Sequence, residues 1–259
     1  MSCQPDANRV HELVRDRYGR IAHERGGEAS CCPATSSGST RLGYTAEELA
    51  ALPAGADMGL GSGHPVAEAA LQPGETVLDL GSGGGIDCIL AARQVGRDGH
   101  VIGIDMTEAM LATARDAARE AGVGNVEFRQ GQIETLPVDD ASVDVVISNC
   151  VVNLSPDKAA VWREVDRVLK PGGRVAISDI VASAPLPAAL REKPELLCGC
   201  VAGAASLEEV REQVAAAGLS DVRIEPREAS ARSIKQWVPD AHEDVQVISA
   251  MIHARKPGA

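Results

Sequence analysis

The sequence is poor in aromatic residues and in net positive charge, and it has no long apolar run. Phe, Tyr and Trp make up 2% of the 259 residues, so Val, Ile, Leu and Ala must fill the core; the 44% hydrophobic content is enough for one. The length suits one large domain or a domain with a small appendage. The formal net charge is −12. Because such a surface repels phosphate backbones, we expect no nucleic-acid partner.

The absence of a membrane or export signal bears on the cysteines. No 18 consecutive residues are apolar, and the N-terminus lacks the apolar core of a signal peptide. We therefore expect a cytoplasmic protein without a membrane partner, whose seven cysteines are reduced. Their odd number and spacing match no zinc-ribbon pattern, so we predict no metal site. Reduced thiols act as core filler, as nucleophiles or as ligands of soft elements.

Short β-branched segments alternate with amphipathic helices through the middle of the chain. This pattern predicts an α/β fold whose mostly parallel, seven-stranded sheet is buried between helices on both faces. The predicted strands are 77–80, 101–104, 126–129, 143–148, 174–179, 222–225 and 245–255. The predicted helices are 9–25, 45–52, 86–95, 108–121, 157–169 and 206–217, the second with a capping box of Thr45 and Glu48.

A glycine-rich turn, residues 81–85, follows the first predicted strand of this alternating region. Its Gly-x-Gly lacks the third glycine of the dinucleotide fingerprint, because Ile86 stands there, which disfavours a nicotinamide oxidoreductase. Alone, such a turn often serves packing. Asp105, however, ends the second strand, the position from which carboxylates bind ribose hydroxyls. Two further signals are the segments 131–137 and 169–174, the latter separating a predicted helix from the fifth strand.

Together these motifs resemble the class I S-adenosylmethionine-dependent methyltransferases over roughly residues 65–183. The resemblance implies a Rossmann-like cofactor domain over 65–183, an N-terminal cap over 1–64, and a C-terminal part over 184–259 that completes the sheet. It also implies S-adenosylmethionine as cofactor. The implied cofactor-binding residues are Asp79, Gly81, Ser82, Gly83, Asp105, Met106, Gln132, Ile133 and Asn149.

Longer stretches resemble the bacterial arsenite methyltransferases specifically. The segments 42–45, 147–158, 178–181 and 200–204 carry this likeness, which extends from about Arg17 to Ala205. It implies that Cys150 and Cys200 bind trivalent arsenic, a soft and thiophilic centre. It also implies a thiol reductant of the thioredoxin or glutathione type, because methylation oxidises arsenic and a cysteine pair returns the electrons. Cys3, Cys88 and Cys198 are interpreted as structural.

One position departs from the family pattern. Ser62 stands where the family usually has a cysteine, and a protonated hydroxyl does not replace a thiolate. Two alternatives remain open. Either Cys31 or Cys32, in a Gly/Ser-rich segment, captures arsenic or resolves the disulfide, or Cys150 and Cys200 bind alone, which would favour monomethylarsenite over arsenite. The adjacent pair is equally well interpreted as part of a solvated loop.

Two other functions compete with the arsenic hypothesis. A small-molecule C- or O-methyltransferase on the same scaffold would be indifferent to thiol blocking. A non-catalytic protein that sequesters arsenic or a soft metal would bind the metalloid without the cofactor. The intact set of Asp79, Gly81, Gly83 and Asp105 disfavours the second alternative.

Overall fold

The computed structural model describes residues 7–23, 38–184, 186, 200–230 and 247–258. Cys3, Cys31, Cys32 and Cys198 lie outside these residues. The helices of the described residues are α1 Ala7–His23, α2 Gly38–Arg41, α3 Ala46–Ala50, α4 Pro65–Glu68, α5 Ile86–Val95, α6 Glu108–Glu120, α7 Lys158–Val168 and α8 Leu207–Ala216. The strands are β1 Thr76–Leu80, β2 His100–Asp105, β3 Val126–Gln130, β4 Val143–Asn149, β5 Leu169–Ala182, β6 Ala205–Ser206, β7 Ser220–Arg227 and β8 Val247–Arg255.

The predicted α/β fold is confirmed. Seven strands form one path in the order β3-β2-β1-β4-β5-β8-β7, and the two-residue β6 pairs with the end of β5. The first five strands of the path are parallel, whereas β8 runs antiparallel to both β5 and β7. Since parallel strands end at the same edge, the carboxyl ends of β1, β2, β4 and β5 meet there. The division into three parts stays a prediction.

Side chains that alternate along each strand build two cores. In β1, Val77 packs in a cluster with α5 residues such as Leu90. Its neighbour Leu78 packs on the opposite face with α7 residues such as Trp162, which is 1% exposed. Because both faces of the sheet are covered, the central strands are apolar on both faces, as expected for a parallel sheet.

The capping signals in the sequence fix several helix boundaries. The side chain of Thr45 accepts a hydrogen bond from the amide of Glu48, whose side chain accepts from the amide of Thr45. Ser206 and Glu209 form the same capping box at the start of α8. Such reciprocal bonds satisfy amides that a helix start leaves without partners. The helix predicted over 86–95 has these bounds in the structure.

The predicted start of β5 is wrong. The sequence predicts a strand only over 174–179, whereas β5 spans Leu169–Ala182. Leu169 pairs with Val143, and a register shift follows before Arg174 pairs with Val145. The Pro-Gly-Gly sequence therefore forms an irregularity within the strand, where Gly172 donates to the carbonyl of Lys256.

In the described part of the chain, none of the helices has the length and apolar composition that a membrane span requires.

Candidate active site

A cavity lies at the carboxyl ends of β1, β2 and β4. All nine predicted cofactor residues line it, together with the two predicted arsenic ligands: Asp79, Gly81, Ser82, Gly83, Asp105, Met106, Gln132, Ile133, Asn149, Cys150 and Cys200. This position agrees with the rule that ligands of open α/β sheets bind beyond the carboxyl ends of the strands. The fold thus brings the two sets together, and the role of each residue stays a prediction.

The glycine-rich turn forms one wall of the cavity. The amides of Gly81 and Ser82 both donate to the carbonyl of Ile104, at 2.8 and 2.9 Å, which ties the turn to the end of β2. Gly81 has φ +73°, and a Cβ there would clash with the side chain of Val151. Gly83 also has positive φ, +50°, but a Cβ there would have no atom within 4 Å. The turn therefore requires a glycine at position 81 for packing, whereas at Gly83 the turn borders open space in the cavity.

The carboxylate of Asp105 is held by backbone amides next to that open space. Its Oδ2 accepts from the amide of Gly83 at 3.0 Å, and its Oδ1 accepts from the amide of Thr107 at 2.8 Å. Burial raises the pKa of Asp105 above its ordinary value, although these hydrogen bonds act in the opposite direction. The carboxylate is thus oriented before any ligand binds.

A second carboxylate, Asp79, lies at the floor of the cavity and is 2% exposed. The thiol of Cys88 donates to its Oδ2 at 3.2 Å. Burial, and next the charge of Asp87, raise the pKa of Asp79 well above its usual range. Cys88 is itself fully buried, and burial raises the pKa of its thiol well above normal, consistent with the structural role expected for it.

The residues of the turn fit S-adenosylmethionine. The hydroxyl of Ser82 is buried and has no hydrogen-bond partner among the described residues, although it belongs to the cavity wall. A buried hydroxyl without a partner is costly, so a bound ligand with polar groups would satisfy it. The space above Gly83 allows such a ligand to approach the backbone closely.

The side chain of Asn149 holds the segment that contains Ser62, the residue that departs from the family pattern. Its Oδ1 accepts from the amide of Ser62 at 2.8 Å, and its Nδ2 donates to the carbonyl of Gly63 at 2.8 Å. The same Nδ2 lies 3.0 Å from the hydroxyl of Tyr44, which donates to Asp87 Oδ1 at 2.8 Å. The amide group is therefore engaged by the protein itself, a use that the predicted cofactor contact did not anticipate.

Ser62 is buried beside the site, 4% exposed. Its hydroxyl pairs with the hydroxyl of Ser178 at 2.9 Å, and Ser62 is not among the cavity-lining residues. His64 stacks on Tyr44 with ring centroids 4.1 Å apart, and its Nε2 lies 3.1 Å from Glu48 Oε1. The side chains of Ser62 and His64 therefore pack the segment that contains them against its neighbours.

The N-terminal helix α1 contributes cavity residues that the sequence analysis missed. His11, Val14 and Tyr18 of this helix line the cavity. The Nε2 of His11 lies 3.1 Å from Glu134 Oε1, and its Nδ1 faces Gln132 Nε2 at 3.4 Å. The apolar periodicity of α1 was a signal for packing, but it did not indicate which part of the fold the helix covers.

Cys150 and Cys200 meet at the far side of the cavity. Both are thiols, and the Sγ of Cys200 donates to the backbone carbonyl of Cys150 at 2.8 Å. Both residues have left-handed backbones, with φ of +61° and +62°. Such conformations are strained for residues other than glycine and cluster at functional sites. The structure therefore brings the two predicted arsenic ligands together, and their binding of arsenic stays a prediction.

Asp179 completes a cluster with these thiols, and the sequence analysis did not identify it. One carboxylate oxygen of Asp179 and the two sulfurs lie within 4.8 Å of one another. Asp179 is 2% exposed, and burial raises its pKa to about 6 despite hydrogen bonds from the amides of Ile180 and Asn153. The segment 178–181 resembles the arsenite methyltransferases, but no local pattern predicts that the carboxylate belongs to the site.

This fold, with its cofactor cavity at the carboxyl ends of the strands, defines an S-adenosylmethionine-dependent methyltransferase of class I, and S-adenosylmethionine is its methyl donor. The family model described as "Methyltransferase domain" matches residues 71–220.

More specific similarity comes from individual relatives. The arsenite methyltransferase of Halobacterium salinarum is 48% identical over 99% of this chain and 69% of its own length. That of Aquipseudomonas alcaligenes is 37% identical over 83% of this chain and 63% of its own. The crystal structure of an arsenic(III) S-adenosylmethionine methyltransferase from Chlamydomonas reinhardtii superposes with a TM-score of 0.65 at 34% identity, covering 86% of this chain and 75% of that one. The chain belongs to the arsenite methyltransferase family.

Proposed function

We propose that this protein transfers a methyl group from S-adenosylmethionine to trivalent arsenic held by Cys150 and Cys200. The observation that carries the proposal is the meeting of these two thiols, 50 positions apart, in the cavity that the glycine-rich turn also lines. The similarity to arsenite methyltransferases over nearly the whole chain supports the same acceptor.

The cofactor supplies a methyl group on a sulfonium, which leaves without a proton transfer. On the protein side, we assign the ribose to the carboxylate of Asp105, already oriented by the amides of Gly83 and Thr107. Ser82 provides a buried hydroxyl, and Gly83 provides room for close backbone approach. We assign the adenine to Met106, Gln132 and Ile133, which line the cavity beside α1.

The acceptor side requires soft ligands and no general base. Thiolates bind trivalent arsenic strongly, and a thiolate pair in fixed positions holds the arsenic lone pair near the methyl group. Since that lone pair carries no proton, the site needs no side chain to remove one. The left-handed backbones of both cysteines support such pre-positioning, because the fold maintains strained conformations at the two thiols.

Turnover adds a requirement for electrons. Methylation oxidises arsenic, and in our proposal the cysteine pair returns the two electrons by becoming a disulfide, which a thioredoxin- or glutathione-type reductant reopens. This requirement agrees with a cytoplasmic protein, where such reductants keep thiols reduced. Cys31 and Cys32 remain candidates for capturing arsenic or resolving the disulfide.

The decisive test follows the methyl group and the thiols together. We expect transfer of isotopically labelled methyl from S-adenosylmethionine to arsenite or monomethylarsenite in the presence of a thiol reductant. Prior alkylation of the thiols with a small arsenic-free reagent should abolish transfer but leave cofactor binding intact in calorimetry. Methyl transfer to an organic acceptor that is indifferent to thiol blocking would instead identify a C- or O-methyltransferase. Arsenical binding without cofactor binding would identify a sequestering protein.

A further inference from the structure

Asp179 lies beside both candidate arsenic ligands, and the proposed reaction gives it no role. A carboxylate oxygen and the sulfurs of Cys150 and Cys200 lie within 4.8 Å of one another. The carboxylate is fixed on the other side: Oδ1 accepts from Asn153 Nδ2 at 2.9 Å and from the amide of Ile180 at 2.7 Å, and Oδ2 accepts from the amide of Asn153 at 3.1 Å. The carboxylate is therefore buried, and these three donors from Asn153 and Ile180 hold it in place.

The third position on arsenic is not supplied by Ser62. Its hydroxyl forms a buried pair with Ser178 at 2.9 Å, and its amide is held by Asn149. Trivalent arsenic has three ligand positions, and two are taken by thiolates. In arsenite the third then keeps a hydroxyl, which is a hydrogen-bond donor. In monomethylarsenite it carries a methyl group, which donates nothing.

We propose that Asp179 is a specificity residue that accepts a hydrogen bond from the hydroxyl of arsenite bound by Cys150 and Cys200. The inference rests on the proposed function of the thiol pair. Binding balances without oxidation or reduction: two S–H bonds and two As–OH bonds break, two As–S bonds and two water molecules form, and one As–OH remains.

The preference for arsenite follows from hydrogen-bond energetics in a buried site. A hydrogen bond to a charged acceptor is among the stronger ones in proteins. A methyl group donates no hydrogen bond, so monomethylarsenite gains no such stabilisation from the buried carboxylate. The site with two thiolates and one carboxylate would therefore select arsenite, not the methylated acceptor that two thiolates alone would favour. In this chain, where Ser62 supplies no thiolate, Asp179 would recognise the hydroxyl that remains on the inorganic substrate.

The test is a cofactor-free binding measurement with a matched pair of acceptors. Arsenite and monomethylarsenite are titrated calorimetrically into the wild type and into Asp179→Asn. In the variant, the amide oxygen remains with the two donors at Oδ1 and an NH₂ group replaces Oδ2, which removes the negative charge and also the hydrogen bond that Oδ2 accepts from the amide of Asn153. We expect arsenite affinity to fall about tenfold, the scale of a lost charge-assisted hydrogen bond, and monomethylarsenite affinity to change less than about twofold.

Controls separate specificity from damage to the fold. Asp144→Asn removes a carboxylate at the amino end of β4, where Asp144 pairs with Lys170, and should leave both affinities unchanged. If Asp179→Asn does not fold, Asp179→Ser keeps an acceptor oxygen without the charge and should show the same selective loss. Unchanged arsenite affinity, or equal weakening of both acceptors, would overturn the inference for Asp179. If wild type binds neither acceptor through Cys150 and Cys200, the proposed function fails with it.

Discussion

The thiol of Cys200 donates a hydrogen bond to the backbone carbonyl of Cys150 at 2.8 Å, although the two residues are 50 positions apart. Each lies in a left-handed backbone conformation, which costs on the order of 1–3 kcal/mol per residue. Folding maintains this strain because β4 and β5 fix Cys150, whose amide donates to the carbonyl of Ser178 at 2.7 Å. The sheet thus places Cys150, and the hydrogen bond from Cys200 joins the two residues before any arsenical binds.

Ser82→Ala tests whether the buried hydroxyl belongs to a ligand site. In the free protein this hydroxyl has no partner among the described residues, so its removal should leave stability unchanged or raise it by up to about 1 kcal/mol. Cofactor affinity should fall about five- to tenfold, because the bond made on binding is lost. Thermal unfolding and calorimetric titration check the two effects. A loss of stability with unchanged cofactor affinity would contradict the assignment.

Two glycines of the same turn should respond differently to alanine. Gly81→Ala introduces a clash with Val151 as well as positive-φ strain, so we expect a loss of about 2 kcal/mol or more in unfolding free energy. Gly83→Ala meets no atom and should cost about 1 kcal/mol, but its methyl group enters the cavity and should weaken cofactor binding at least tenfold. Urea denaturation and cofactor titration of both variants measure this. Tight cofactor binding by Gly83→Ala would show that the space serves another purpose.

Asn149→Asp tests the side chain that holds the segment around Ser62. The substitution removes the donor to Gly63 and places a second carboxylate near Asp87, which lies 3.3 Å from Asn149 Nδ2. We expect destabilisation of about 3 kcal/mol at pH 7, because like charges in a buried site repel. The defect should lessen at low pH, where protonation removes the repulsion. Denaturation at pH 7 and pH 5 measures it, and an equal loss at both values would contradict the account.

The ion pair of Arg174 and Glu75 predicts a different pH dependence. Burial alone would raise the pKa of Glu75, but the hydrogen bonds from Arg174, at 2.6 and 2.8 Å, together with the amide of Gln72, lower it. A lowered folded pKa means that the stabilisation is complete above the unfolded pKa of about 4.3 and is lost as pH falls through the folded value.

Arg174→Gln should therefore destabilise the protein by about 1–2 kcal/mol at pH 7, and the difference from wild type should shrink as the pH falls below about 4. Arg119→Gln is the control, since Arg119 pairs with Asp116 in an exposed position and should contribute less than about 0.5 kcal/mol. Urea denaturation at pH 7 and at pH 3.5 checks both variants. A difference that grows toward low pH would contradict the assigned pKa direction.

Local patterns predicted most elements because caps, glycine stops and β-branched runs act within a few residues. The bounds of α5 and the capping box of Thr45 follow from such signals. The start of β5 did not, because its pairing with β4 and with Lys256 outweighs the turn preference of the Pro-Gly-Gly sequence. A local sequence pattern does not predict pairing between strands that are distant along the chain.

The site was predictable to the extent that it lies at strand ends. Asp105 and Cys150 follow predicted strands, and parallel strands deliver such residues to one edge of the sheet. Asp179 lies within β5, and Cys200 belongs to a segment far along the chain, so no local pattern predicts that the two lie close together. The contribution of His11 and Tyr18 depends likewise on where α1 packs. Such contacts between distant segments carry no signal in the local sequence.

The central claim is that two thiols hold the arsenic that receives the methyl group, and the most direct test measures methylated arsenic formed by single cysteine variants. With S-adenosylmethionine, arsenite and a thiol reductant, Cys150→Ser and Cys200→Ser should each lose at least about a hundredfold in rate while binding the cofactor as wild type does. Cys88→Ala, which removes a buried thiol outside the pair, should still bind the arsenical through two thiols. Methylation of arsenicals at the wild-type rate by either serine variant would contradict the account.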